Sequence, residues 1–258
     1  MSARKKIVIA NWKMNPQTLL EAKRNFSIFK KTKRDDSGVT VVFCPPFIYL
    51  NELYKSYTGS KIFFGAQDVF WQPEGSYTGE ISLKMLQSVG ARFVIVGHSE
   101  RRALGENDMM VAQKLSAVLK SGMHAILCVG EGVRDMQGKY LHTIRDQILS
   151  ALENVEKNLL KKLIIAYEPI WTIGAGHQAI DNHELHQMIL FIKKQLIEKY
   201  DRAIGEAVSV IYGGSVDSDN ASELVLNSGA DGLLVGRNSL NPSEFSKIIS
   251  EVGKKKKK

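Results

Sequence analysis

Eight short apolar, β-rich segments, at about residues 6–11, 39–44, 61–66, 93–97, 124–129, 163–167, 208–212 and 232–235, alternate along this chain with longer stretches of helical spacing. Runs such as IVIA, VIVG and LIIAY show no polar alternation. Strands of that kind are buried on both faces, as in a parallel sheet covered by helices. Between them lie patterns such as LLEAKRNFSIFKK, VAQKLSAVLKSG and HELHQMILFIKKQLIEKY, whose apolar residues recur at helical intervals. Eight such units in 258 residues predict an α/β fold, a (β/α)8 barrel of eight parallel strands surrounded by helices, with residues 1–253 forming one domain. An open doubly wound sheet is the alternative. It expects a glycine fingerprint after the first strand, where this chain reads ANWKMN.

Composition narrows the setting. The formal charge of +8 suggests a nucleic-acid binder until its location is counted, because Lys254 to Lys258 supply five of those charges. The run 254–258 reads as a disordered, solvated lysine tail, and no specific nucleic-acid partner is expected. No stretch of 18 apolar residues exists and no apolar leader precedes the first strand, so neither a membrane span nor secretion is expected. Cys44 and Cys128 end the apolar runs VVFC and AILC and read as buried, reduced thiols, which points to the cytoplasm.

In a barrel of this kind the loops following the strands build the active site. Here they carry Asn11 and Lys13, His98 and Glu100, Glu168, Gly213 to Ser215, and Gly236, and no comparable set marks the opposite rim. Glu168 stands between an apolar strand and Pro169, where shielding by Ile170, Trp171 and Ile173 would raise its carboxyl toward the range of a general base. A rim ion-pair partner is the plainer reading. His98 precedes SERRA, read as a short helix capped by Ser99, whose N-terminus would favour a neutral imidazole able to donate to a substrate carbonyl. Lys13 offers a fixed positive charge for developing oxyanions, and Asn11 either donates to the same oxygen or caps the strand end. Small residues in IGAG, GGS and VGR place Gly174, Ser215 and Gly236 where backbone N–H groups can converge on a phosphate. The segment 169–177 has a second reading as a lid that covers Glu168 and excludes water. No metal site emerges, because His183 and His186 lack a third ligand at suitable spacing.

The motifs NWKMN, CPPF, GAQD, YTGE, VGHSERR, CVGE, AYEPIWTIG, IYGGSV and DGLLVG occur together and in one order. In that order they resemble the triosephosphate isomerase family, over essentially everything but the lysine tail. The resemblance implies a TIM barrel that interconverts D-glyceraldehyde 3-phosphate and dihydroxyacetone phosphate without a cofactor. By the same resemblance Glu168 is the base, His98 polarises the carbonyl, and Lys13 and Asn11 stabilise the enediolate. Glu100 positions the polar groups, and Gly174, Ser215, Gly236 and Arg237 grip phosphate through their backbone groups. Ile173 and Leu234 close around the base. A homodimer is implied through loop 67–80, with Thr78 reaching the partner's Asn11 and with a Glu80–Arg101 ion pair near that interface. The Phe70–Trp71 pair is then expected to be covered by the partner. A non-catalytic interaction protein on the same fold is the rival reading.

Four departures from the family pattern stand out. RRALGEN is one residue short, which puts the place of Glu106 in question; Asp68 replaces a common asparagine; VGRNSL replaces VGGASL; and Ala175 and His177 alter the lid segment. Arg237 in particular needs a backbone angle that tolerates a side chain.

Overall fold

The computed structural model describes residues 5–36, 38–172 and 180–254. Eight strands, β1 (Lys6–Asn11), β2 (Val39–Cys44), β3 (Ile62–Ala66), β4 (Ala91–Val96), β5 (His124–Val129), β6 (Leu163–Tyr167), β7 (Ser209–Tyr212) and β8 (Gly232–Val235), pair in parallel and in sequence order. The sheet closes because β1 pairs with both β2 and β8, so none of its strands is left as an edge. The predicted strands agree with these within about two residues. The largest difference is β4, which begins at Ala91, where Phe64 of β3 supplies a pairing partner that sequence pattern does not reveal.

Two apolar layers follow from the two-residue period of a strand. Ile7 and Ile9, Val42 and Cys44, Phe93 and Ile95, Ile126 and Cys128, Ile164 and Ala166, Ile211 and Leu234 fill the barrel interior. The alternate residues, such as Val8, Ala10, Val41, Phe43, Val94, Val96 and Ile165, pack outward under the helices. That double burial is why the strands read as continuous apolar runs.

The covering helices include α1 (Leu19–Lys31), α2 (Phe47–Lys55), α3 (Leu83–Ser88), α4 (Ser99–Ala103), α5 (Asp108–Lys120), α6 (Lys139–Ala151), α7 (Asn182–Lys199), α8 (Arg202–Ala207), α9 (Ala221–Leu226) and α10 (Pro242–Gly253). Several start on side-chain caps: Thr18 accepts from the Glu21 N–H, Asn107 from Met110, Asp181 from His183 and Glu184, and Asn241 from Ser243 and Glu244. No helix among the described residues is long and apolar enough to cross a membrane.

The expectation of a bare opposite rim is overturned. Lys5, Arg92, His124 and Lys161 gather there around Phe63 and Phe93, at the end where the strands begin. Residues that far apart in sequence are brought together only by closure of the barrel.

Candidate active site

Extending the inward period of β1, β6, β7 and β8 by one step brings Asn11, Glu168, Gly213 and Gly236 to the C-terminal mouth of the barrel. They line one cavity of about 350 Å³, together with Lys13, His98, Glu100, Ser215, Leu234 and Arg237. Ile173 and Gly174 lie outside the described residues, as do Ala175 and His177. Gly214, expected with its neighbours in GGS, is also in the lining, and Trp12, Asn15, Val216, Asn238 and Leu240 complete it without having been assigned a role from sequence, since none of these five carries a charge.

Glu168 is 2% exposed. Its N–H donates to the Val129 carbonyl at 2.8 Å, which continues the β5–β6 ladder one residue past the strand and fixes the side chain's exit point. Oε2 accepts from the Ser99 N–H at 3.2 Å, whereas Oε1 is buried without a hydrogen-bond partner. An orphaned carboxylate oxygen in a cavity is costly, and such a cost is commonly retained where the group has chemical work. Gly213 is required opposite it: a Cβ there would come within 2.9 Å of the Glu168 Cγ.

Of the residues expected to shield this carboxylate, Ile170 and Trp171 lie among the described residues and Ile173 does not. Ile170 is 39% exposed, and the Trp171 indole N–H donates to Glu131 at 3.0 Å. Leu234, buried, lines the cavity beside Gly213 and supplies apolar cover. Cys128, the last inward residue of β5, lies under the site; burial foremost, and then the Glu168 carboxylate, push its thiol up. An inert buried thiol was the plain reading of Cys128, and this environment agrees with it.

His98 arrives by a different route. Gly97 takes φ +73°, which turns the chain out of β4 and allows His98 itself to cap α4. Ser99 is therefore the first helical residue, not the cap predicted from SERRA, and this frees its N–H for Glu168. The His98 Nδ1 accepts from the Glu100 N–H at 3.2 Å, so a neutral ring carries its proton on Nε2. Nε2 stands 3.4 Å from the unpartnered Glu168 Oε1.

Lys13 has φ +54°, the one positive φ outside glycine among the described residues. For a side chain of this size that conformation costs roughly 1–3 kcal/mol and persists only where neighbours enforce it. Its N–H donates to the Asn11 Oδ1 at 3.1 Å and its carbonyl accepts from the Gln67 amide at 2.9 Å. Its Nζ pairs with Glu100 at 2.7 Å. Asn11 thus folds the loop that holds Lys13, beyond either role expected of it.

The departures have structural answers. Asp68 pairs with Arg101 at 3.0 Å and with Lys114 at 2.7 Å, so the carboxylate in place of asparagine has found donors. Glu106 is buried against the same Lys114 at 2.6 Å despite the shortened stretch. Sequence reading passed over Lys114, although it sits on the inward stripe of α5 with Val111, Leu115 and Val118, where a lysine needs a buried partner. Arg237 is not among the positive-φ residues, so its side chain brings no backbone strain. The Phe70 ring packs at a tilt against Trp71, with centroids 4.1 Å apart, and against Tyr77, with centroids 4.6 Å apart, so within the protomer this pair partly covers itself.

A buried carboxylate with one free oxygen, an imidazole Nε2 beside it and a cation 2.7 Å from its own carboxylate form a proton-transfer set. The carboxylate can accept a proton from carbon, while the imidazole and the ammonium stabilise charge moving onto oxygen. Comparison with known proteins gives the family. The family model described as triosephosphate isomerase matches residues 6–252. Curated proteins named triosephosphate isomerase include one from Thermoanaerobacter sp. (strain X514), 39% identical over 249 residues, 96% of this chain and 99% of that one. Others are from Dictyoglomus turgidum, 38% identical over 248 residues with 95% and 99% coverage, and Moorella thermoacetica, 38% over 249 residues with 96% and 98%.

Proposed function

The chain belongs to the triosephosphate isomerase family, and we propose that Glu168, His98, Lys13 and Asn11 are the residues that carry its reaction. The activity is that of an intramolecular aldose–ketose isomerase, the reversible conversion of D-glyceraldehyde 3-phosphate to dihydroxyacetone phosphate through an enediolate. The observation that carries the residue assignment is the Glu168 carboxylate, buried in the cavity with one oxygen that has no aligned hydrogen-bond donor among the described residues.

Glu168 removes the proton from the carbon next to the carbonyl and returns it to the neighbouring carbon. His98 donates from Nε2 to the carbonyl oxygen and moves the proton between the two enediolate oxygens. Lys13, with Asn11 behind it, supplies positive charge to whichever oxygen is anionic, and Glu100 holds the ammonium in place. Ser215, Gly236 and Arg237 receive the phosphate at the other end of the cavity. Gly174 is assigned to the same grip, and Ile173 to closing against Leu234, from the sequence alone. Such chemistry asks for no cofactor or metal.

The same reading takes residues 1–253 as one catalytic domain with 254–258 as an appended tail, in a cytoplasmic homodimer. Support for the dimer comes from residues 72–80, every one of which is exposed in the protomer, and from Met14, 84% exposed beside the catalytic loop. Support for a reducing compartment comes from two free, buried thiols. Nothing in the fold or the relatives favours the non-catalytic alternative.

Turnover of glyceraldehyde 3-phosphate by metal-free parent protein, E168D and E168Q tests the assignment. Moving or neutralising a general base lowers kcat by about 10² to 10⁴, with a smaller change in KM. An unchanged kcat in E168Q removes Glu168 from that role.

A further inference from the structure

The cavity lining holds two carboxylates, Glu100 and Glu168, and two cations, Lys13 and Arg237. Lys13 is already engaged, 2.7 Å from Glu100. Without Arg237 the formal charge of this lining would be negative, an unfavourable setting for a doubly charged phosphate. The Arg237 side chain is exposed at the cavity and has no ion pair or hydrogen bond among the described residues. The undescribed segment 173–179 contains no acidic residue to neutralise it.

The backbone around it is firmly tied. The Asn238 amide donates to the Val216 carbonyl at 2.6 Å, the Ser239 hydroxyl to Gly236 at 2.6 Å, and the Trp12 indole N–H to Ser239 at 3.2 Å. These bonds fix where the arginine leaves the loop, in the lining of the cavity, with no ion pair or hydrogen bond to its side chain among the described residues.

We propose that the Arg237 side chain is a specificity-determining residue that adds a guanidinium to the phosphate grip, so that this chain holds phosphate through a side-chain charge as well as through backbone N–H groups. It rests on the cavity being the triose phosphate site, as read above. In the family pattern this position is a glycine whose backbone alone serves; here a fixed charge is superimposed on it. A planar guanidinium presents paired donors to phosphate oxygens, which an ammonium does not.

Inorganic phosphate, as a competitive inhibitor, is the probe. R237A is expected to raise the phosphate inhibition constant and the substrate KM together, by roughly five- to thirtyfold for loss of one exposed charge-assisted contact, with kcat falling much less. The dependence of both constants on ionic strength should become shallower. R237K should recover the salt dependence but only part of the affinity, and R237Q should recover neither. A phosphate inhibition constant in R237A within twofold of the parent overturns the proposal, as does an ionic-strength dependence that R237A leaves unchanged. E168Q separates this from failure of the preceding assignment. Phosphate binding to E168Q, followed by calorimetry, must still weaken when R237A is added even though turnover is lost; if E168Q turns over normally, the base assignment fails and the phosphate comparison still decides Arg237.

Discussion

Replacing Lys114 with methionine would leave two carboxylates inside the protein without their common counter-ion. Lys114 is 2% exposed, and its Nζ stands 2.7 Å from Asp68 and 2.6 Å from Glu106. Asp68 retains Arg101 at 3.0 Å and some access to water. Glu106 has no such recourse: its side chain is 1% exposed and neither oxygen has an aligned hydrogen-bond donor, so the lysine charge is what makes its burial tolerable. Removing one partner of a buried ion pair costs about 3–5 kcal/mol, because the remaining charge is uncompensated. For a chain of this size each kcal/mol moves Tm by about 2–4 °C, which gives a fall of roughly 6–20 °C for K114M. Urea unfolding followed by circular dichroism, at one fixed protein concentration, measures the loss directly. Methionine keeps the length and apolar stem of lysine, so packing changes little and the difference reports charge. The double variant K114M/E106Q should regain about 1–2 kcal/mol, since a buried neutral amide is cheaper than a buried unpaired charge. A K114M protein within about 1 kcal/mol of the parent, or a double variant no more stable than the single one, would refute the reasoning.

Two further outcomes follow from groups whose ionisation the fold alters. Burial foremost, and then the nearby Lys162, hold the His124 imidazole below its ordinary range. The unfolded chain therefore takes up a proton that the folded one resists, so stability is unaffected by His124 above about pH 6.5 and declines as pH falls below it, levelling once the folded group is itself protonated. Loss of the ring stacked on Phe93 gives H124Q an offset in urea midpoint that does not vary with pH, and beyond it the midpoint of H124Q relative to the parent should rise from pH 8 to pH 5.5; a constant difference across that range would discard the linkage. Burial pushes both the Cys44 and Cys128 thiols up, with the Glu168 charge adding to the effect at Cys128. An aromatic disulfide reagent at pH 8 should label neither cysteine in folded protein within minutes and both in urea. Rapid native labelling of either would show that the barrel interior opens far more readily than its packing implies.

Much of this protein is written locally. The apolar runs determine the strands because a strand buried on both faces must be apolar at every step, and eight of them separated by amphipathic helices leave a closed parallel barrel as the fitting solution. The period of two carries further: the inward residues Ile7 and Ile9 lead to Asn11, and Ile164 and Ala166 lead to Glu168, so the chain itself aims both groups into the mouth. What it could not reveal are contacts between residues remote in sequence. His98 leaves its strand through the positive φ of Gly97, and that turn, not strand parity, makes it the cap of α4 and hands the Ser99 N–H to Glu168. Trp171 and Ile170 read as cover for the base, yet Glu131 claims the indole and Ile170 stays exposed. Lys114 reads as one more lysine until the packing of neighbouring β/α units brings Asp68 to it from the loop after β3, beside Glu106 at the entry to its own helix. Local pattern specifies which face a residue takes, because that is set by backbone geometry over a few residues. Which charge meets which, and which oxygen is left without a partner, depends on distances between segments that only the closed barrel sets.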